Sequence, residues 1–142
     1  MTQQKTIRCH ILYLCYYKNM NDIKLFESGE MYLETILILS KQQKEVRSID
    51  ISRMMNFSKP SVSRAVNKLK DFDYIYIDTN GLITLTEKGK ELANNIYDKH
   101  IALTNVLKAV GVDEKRASED ACRIEHVISD ESFLALRKYF NL

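Results

Sequence analysis

The segment Asn56-Phe-Ser-Lys-Pro60 is the strongest local constraint in this chain. Asn56-Phe57 reads as a turn. Ser58 is a strong helix N-cap, and Pro60 follows in the first turn, where its missing N–H costs nothing. A helix is therefore expected to run from Ser58 to about Asp71. Its inward face would be Val62, Ala65, Val66, Leu69 and Phe72. Its outward face would be Ser61, Ser63, Arg64, Asn67 and Lys68. Upstream, Ser48 is expected to cap a short helix with Ile49, Ile51, Met54 and Met55 apolar. Before that, Ser28 or Glu27 is expected to cap a helix reaching about Lys41, with Tyr32, Leu33, Ile36, Leu37 and Leu39 on its apolar face.

Downstream, Tyr74-Ile-Tyr-Ile-Asp78 and Leu82-Ile-Thr-Leu-Thr86 are β-branched and aromatic runs. Asn80-Gly81 between them predicts a two-residue hairpin turn, since both residues tolerate positive φ. Thr86-Glu-Lys-Gly89 opens a long helix expected to reach about Val110 and stop at Gly111. Further helices are expected from about Asp113 to Ile128 and, capped by Ser129-Asp-Glu-Ser132, to Phe140. Helix, short helix, turn, helix and hairpin is the order of a winged helix-turn-helix. The predicted fold class is mainly α. An N-terminal winged helix-turn-helix precedes an α-helical domain. The expected boundaries are an N-terminal arm or mis-called start over 1–21, a DNA-binding domain over 22–90 and a helical domain over 91–142.

Charge agrees with a polyanion partner. Residues 41–70 carry eight Lys or Arg against two Asp or Glu, in a chain whose net charge is only +2. That basic window covers the second and third helices, where a solvated lysine face is the plainer alternative. On a helix lying in the major groove, Arg reads guanine and Asn reads adenine, while hydroxyls and the helix N-terminus hold phosphates. The expected base contacts are Ser61, Arg64 and Pro60, with Ser58, Lys59, Ser63, Asn67 and Lys68 mostly on the backbone. Arg47 and the wing around Thr79 and Asn80 are expected to reach flanking phosphates.

The other informative segment is Glu119-Asp-Ala-Cys-Arg-Ile-Glu-His-Val-Ile128. On a helix, Cys122, Glu125 and His126 stand at i, i+3 and i+4 and share an arc of about 100°. A thiolate, a carboxylate and an imidazole facing one way are metal ligands of graded softness. The plainer alternative is a small buried Cys beside a solvated Glu-His pair. Cys9 and Cys15 make the cysteine count odd, at three, with no disulfide spacing and no Cys-x-x-Cys, so a reduced, cytoplasmic protein is expected. No apolar run approaches a membrane span. Ile11 to Tyr17 lacks a cleavage site and is not read as a signal peptide. Met20 is a second plausible start.

Placed together, these segments resemble the diphtheria toxin repressor and manganese transport regulator family of metal-dependent repressors. The resemblance spans about residues 22–140. It rests on Gly29-Glu-Met-Tyr-Leu-Glu-Thr-Ile36, Ser58-Lys-Pro-Ser-Val-Ser63, Leu85-Thr-Glu-Lys-Gly89, Lys99-His100 and Asp120-Ala-Cys-Arg-Ile-Glu-His-Val-Ile-Ser-Asp-Glu131. It implies a homodimer that binds a double-stranded DNA operator when loaded with Fe(II) or Mn(II), with Co, Ni and Zn binding in vitro. Met31, Cys122, Glu125 and His126 match the ligand positions of iron-sensing members. Glu34 and His100 match a carboxylate and a His of manganese-sensing members, and Glu34 with His100 and Glu125 implies a second site.

The match has departures. Thr104 and Ser118 stand where the ancillary site of iron sensors has Glu and His. No SH3-like domain follows, so a short form is expected. Cys9, Cys15 and His10 lie outside the resemblance and are not expected to be ligands. The rival expectation is a metal-independent winged-helix regulator responding to another ligand. An enzyme is not expected. The chain has no His-Glu-x-x-His, no nucleophile with a nearby base and no Gly-rich phosphate loop.

Overall fold

The computed structural model describes residues 25–142. The expected N-terminal arm, the Met20 start, Cys9, His10 and Cys15 lie outside the described residues. The helices are α1 (Leu25–Gln42), α2 (Ser48–Met55), α3 (Lys59–Asp71), α4 (Glu87–Ala109), α5 (Glu114–Ile124) and α6 (Asp130–Phe140). Between α3 and α4, β1 (Ile75–Ile77) pairs antiparallel with β2 (Ile83–Leu85), Tyr76 opposite Thr84. The chain divides between Asn95 and Ile96, within α4, into two compact units. No helix among the described residues is long and apolar enough to cross a membrane.

The first unit is a winged helix. α1 packs against α2, α3 and β2, and α3 also packs against β1. Leu33, Ile36, Ile51, Met55 and Val62 are the centre of its core. Ser58 caps α3 as expected, its hydroxyl accepting from the Ser61 amide. Asn56 takes the left-handed conformation that lets the chain leave α2. Beyond the wing, the Thr86 hydroxyl donates to the Asp73 carbonyl at 2.8 Å and accepts from the Gly89 amide at 3.1 Å, starting α4 against the end of α3.

Four local expectations are corrected. Ser28 lies inside α1, which begins at Leu25. One cap is worth only about 1 kcal/mol, too little by itself to fix where a helix begins. Ser48 is the first helical residue of α2, and Arg47 is the cap. There the Asp50 carboxylate accepts from the Arg47 amide at 2.8 Å and serves that end. Phe72 is 57% exposed, because at the end of α3 its backbone has left the helix and no longer carries the inward face. At the hairpin tip only Gly81 has positive φ, +77°, and Asn80 does not. The Asp78 carboxylate accepts from the amides of Asn80 and Leu82, both at 2.8 Å. Those two bonds hold a longer loop, closed by a left-handed glycine.

Tyr32 is buried against Phe57, with ring centroids 6.2 Å apart. Burial pushes its phenol up to about 12, against the opposing pull of the Arg64 charge. Its folded pKa thus lies above the unfolded value of 10.0, so its contribution is present below pH 10 and lost as pH rises towards 12. Alkaline unfolding followed by circular dichroism is expected to show this loss. Tyr32→Phe should flatten the stability curve between those pH values.

In the second unit, Leu103 of α4, Ala121 of α5 and Phe133 of α6 form the buried cluster, with Ile124, Ile128 and Leu136 against it. Gly111 ends the α4 segment as expected. Its φ is +100°, and the Val112 amide donates back to the Leu107 carbonyl. Asp113 and Ser129 cap α5 and α6. Lys99 reaches Asp130 at 2.7 Å and lies over the Phe133 ring, pinning the start of α6 to α4. The helix expected to reach Ile128 ends at Ile124. Val127 and Ile128 are β-branched and favour helix weakly, and Ser129 draws the backbone into the next cap.

Candidate metal centre and nucleic-acid interface

Within the second unit, α4 and the end of α5 bring three ligand types together. His100 sits in the middle of α4. Cys122 sits in the last turn of α5. Glu125 is the residue at that helix's C-terminus, and its amide still donates to the Ala121 carbonyl. Cys122 and Glu125 therefore keep their helical three-residue spacing although the regular helix has ended. One ligand atom from each of His100, Cys122 and Glu125 lies within 4.8 Å of the other two, and all three residues are buried. His126 follows in the turn, its Nε2 3.3 Å from Glu125 Oε1.

The local electrostatics favour an ionised Glu125. Burial alone would raise its pKa. Contacts with His100 and His126, and their charges, outweigh burial and hold the carboxyl at about 2. Glu125 Oε2 lies 2.8 Å from His100 Nδ1. Its other oxygen, Oε1, is buried with His126 Nε2 at 3.3 Å but no well-formed hydrogen bond. A buried carboxylate oxygen of this kind is costly unless a cation or donor meets it. Thiolate, imidazole and carboxylate together fit a borderline divalent ion of the first transition row.

Ser118, which the sequence offers only as a departure from an ancillary site, has a place here. Its hydroxyl lies 3.3 Å from His100 Nε2, on the ring edge away from Glu125, and it is buried. The Thr104 hydroxyl donates to the His100 carbonyl at 2.8 Å, one turn along α4. The signal for Ser118 was its spacing, four residues before Cys122 and so on the same helical face. Met31 and Glu34 belong to the first unit, one turn apart on α1, and both are buried.

The predicted nucleic-acid residues lie on or beside α3. Lys59, Pro60, Ser63, Arg64, Asn67 and Lys68 are exposed, and Ser61 is half-buried. Ser58 and Ser61 hydroxyls are 2.8 Å apart at the N-terminus, and Arg64 reaches Ser61 at 3.4 Å. Thr79 and Asn80 are exposed at the wing tip. Arg47 lies at the base of the wing. Its guanidinium donates to the Asn80 carbonyl and lies 3.7 Å from Glu45, so it braces the wing.

A winged helix presenting a cationic helix, followed by a helical unit with buried metal-ligand chemistry, defines a class of DNA-binding regulators. Comparison with known proteins agrees. Residues 24–81 match the model for the iron dependent repressor N-terminal DNA binding domain. Residues 86–141 match that for the iron dependent repressor metal binding and dimerisation domain. An HTH-type transcriptional regulator of Methanocaldococcus jannaschii is 37% identical over 107 residues, covering 74% of this chain and 86% of that protein. The HTH-type transcriptional regulator MntR of Bacillus pumilus is 36% identical over 103 residues, covering 72% and 71%. The solved structure of the manganese regulator SloR superposes with a TM-score of 0.70 at 31% identity, over 80% of this chain and 53% of that one. The chain belongs to the iron-dependent repressor family. It spans about half the length of that solved relative.

Proposed function

We propose that the protein is a metal-dependent transcriptional repressor, a homodimer that binds its operator when Fe(II) or Mn(II) is loaded. The observation that carries this reading is the convergence of His100, Cys122 and Glu125 in one buried cluster, in a chain with an iron-dependent repressor DNA-binding domain. His126 beside Glu125, and Met31 and Glu34 from α1, complete the proposed ligand set. The burial of both Met31 and Glu34, one turn apart on α1, supports their part. When bound, the metal supplies a cross-link whose strength depends on the ion. The chain's own residues supply the donors, exclude water from them and carry the DNA-reading surface.

Cys122 is the basis for favouring Fe(II), because thiolate suits borderline-soft ions, while Glu34, His100 and Glu125 keep Mn(II) close behind. The likeness to a solved structure described as a manganese regulator supports Mn(II) as the second candidate. Cobalt, nickel and zinc are expected to bind in vitro. The deciding experiment is an anaerobic titration with Fe(II) and with Mn(II), reading binding to a duplex that the loaded protein selects from a random pool. It compares the natural chain with Cys122→Glu. Activation of the natural chain by Fe(II) at lower concentration, with preference moving to Mn(II) in the variant, is expected. Equal duplex affinity with and without metal would eliminate the sensor and favour a metal-independent regulator.

Arg64 and Ser61 are the proposed base contacts on α3, with Pro60 beside them. Ser58, Lys59, Ser63, Asn67, Lys68, Thr79 and Asn80 are proposed on the backbone, and Arg47 acts through the wing. Arg64→Ala is expected to cost about 1–3 kcal/mol and relax one base position. Lys68→Ala should weaken binding evenly and reduce the salt dependence by about one ion. Competition binding against single-base variants of the selected duplex measures both.

A further inference from the structure

A cavity of about 650 Å³ opens between α1 and α3, wholly within the winged-helix unit. That volume is in the range of small-molecule sites, roughly 300–1,000 Å³. Its walls are mainly apolar and aromatic, from Tyr32, Phe57 and Leu92 among others, and its charged lining is Arg64 and Lys68 against one carboxylate, Glu30. These two cations are one turn apart on α3, both exposed, and neither makes an ion pair among the described residues. Phosphate contact would account for the two cations but not for the apolar hollow beside them.

Gly29 is a second, independent observation. It lies in α1 with helical backbone and lines the cavity. Among the described residues, a Cβ there would meet only Leu69 Cδ2, at 3.7 Å, an ordinary contact. Neither backbone conformation nor close packing requires glycine, although glycine in a helix costs about 1 kcal/mol relative to alanine. Its effect is to leave the floor of the cavity open.

We propose that this cavity binds an organic monocarboxylate with an apolar body, the carboxylate held by Arg64 and Lys68. Its occupation opposes DNA binding, because it engages cations that the proposed function assigns to DNA. This second half rests on that assignment. Linkage then requires DNA to weaken carboxylate binding by the same factor that the carboxylate weakens DNA binding.

Decanoate is the probe, titrated into the full-length, metal-loaded protein by calorimetry, with amide shifts mapped by NMR. Saturable binding that shifts Gly29, Leu33, Ala65 and Leu69 is expected. Affinity for the selected duplex should fall about tenfold at saturation, within the usual size of coupling between sites. Decanol, which lacks the charge, should bind at least about tenfold more weakly, as loss of charged hydrogen bonds implies. Gly29→Leu should obstruct the floor of the cavity and weaken uptake while keeping metal-stimulated duplex binding. Gly29→Ala should retain both. If the leucine variant does not fold, the shift map on the natural chain still decides. No uptake, shifts confined to residues 96–142, or uptake that vanishes as a second copy covers the cavity at higher protein concentration would each overturn the site. Uptake with unchanged duplex affinity would overturn the antagonism. Failure to bind duplex even without decanoate would count against the DNA reading, while uptake would still test the cavity.

Discussion

Cys122→Ala is expected to abolish metal-stimulated DNA binding and to leave the chain folded. The thiol is buried beside His100 and Glu125, so water cannot easily take its place as a donor. Losing even the outer partners of a metal ligand typically costs 10–100-fold in affinity, so losing the ligand itself should cost at least about 100-fold. The cost to the apo fold should be small, about 1–2 kcal/mol for one missing buried heavy atom. The pairing of His100 with Glu125, at 2.8 Å, does not depend on the sulfur. Metal competition with a chromogenic chelator measures the first effect, and thermal unfolding of the metal-free protein measures the second. A variant retaining natural metal affinity would remove Cys122 from the ligand set. A chelator added to the natural protein should reproduce the loss of DNA binding, and added metal should reverse it.

Gly89→Ala should destabilise the winged-helix unit by about 3 kcal/mol, the upper part of the range for overpacking. A Cβ at Gly89 would overlap the Tyr74 carbonyl oxygen, which is backbone and cannot swing aside. That carbonyl already accepts from the Thr86 amide at 3.1 Å, closing the hairpin where α4 begins. Relief would require β1 and α4 to separate, which disturbs the wing beside α3. The contrast is Gly29→Ala, where a Cβ has room and the gain in helix propensity should stabilise by up to about 1 kcal/mol. Denaturant unfolding of the two variants should give opposite signs. If both stabilised, the close approach of Tyr74 to Gly89 would be wrong.

Much of the fold was legible because its signals are local. Ser58 with Pro60, Asp113, Ser129 and Gly111 each act through their own backbone within a turn, and each occupies the expected boundary. The errors arose where two local signals compete. Asp78 overrode the Asn80-Gly81 turn by offering its carboxylate to two amides, and the next cap at Ser129 ended α5 before Ile128. Phe72 follows the helical period but stands where the helix has stopped, so periodicity misplaced it.

The candidate centre divides along the same line. The sequence by itself determined that Cys122 and Glu125 share a face, because helical spacing is a property of adjacent residues. It also placed Arg64 and Lys68 on one outward stripe of α3 by the same rule. Only the tertiary structure decided that His100, 25 residues before Glu125, donates its ring to that carboxylate. The same packing set Ser118 on the ring's other edge and left a hollow beside Gly29. Those outcomes depend on how packed helices meet, which sequence period does not encode. Burial then makes each of them matter, because charges and cavities removed from water must be matched by a partner.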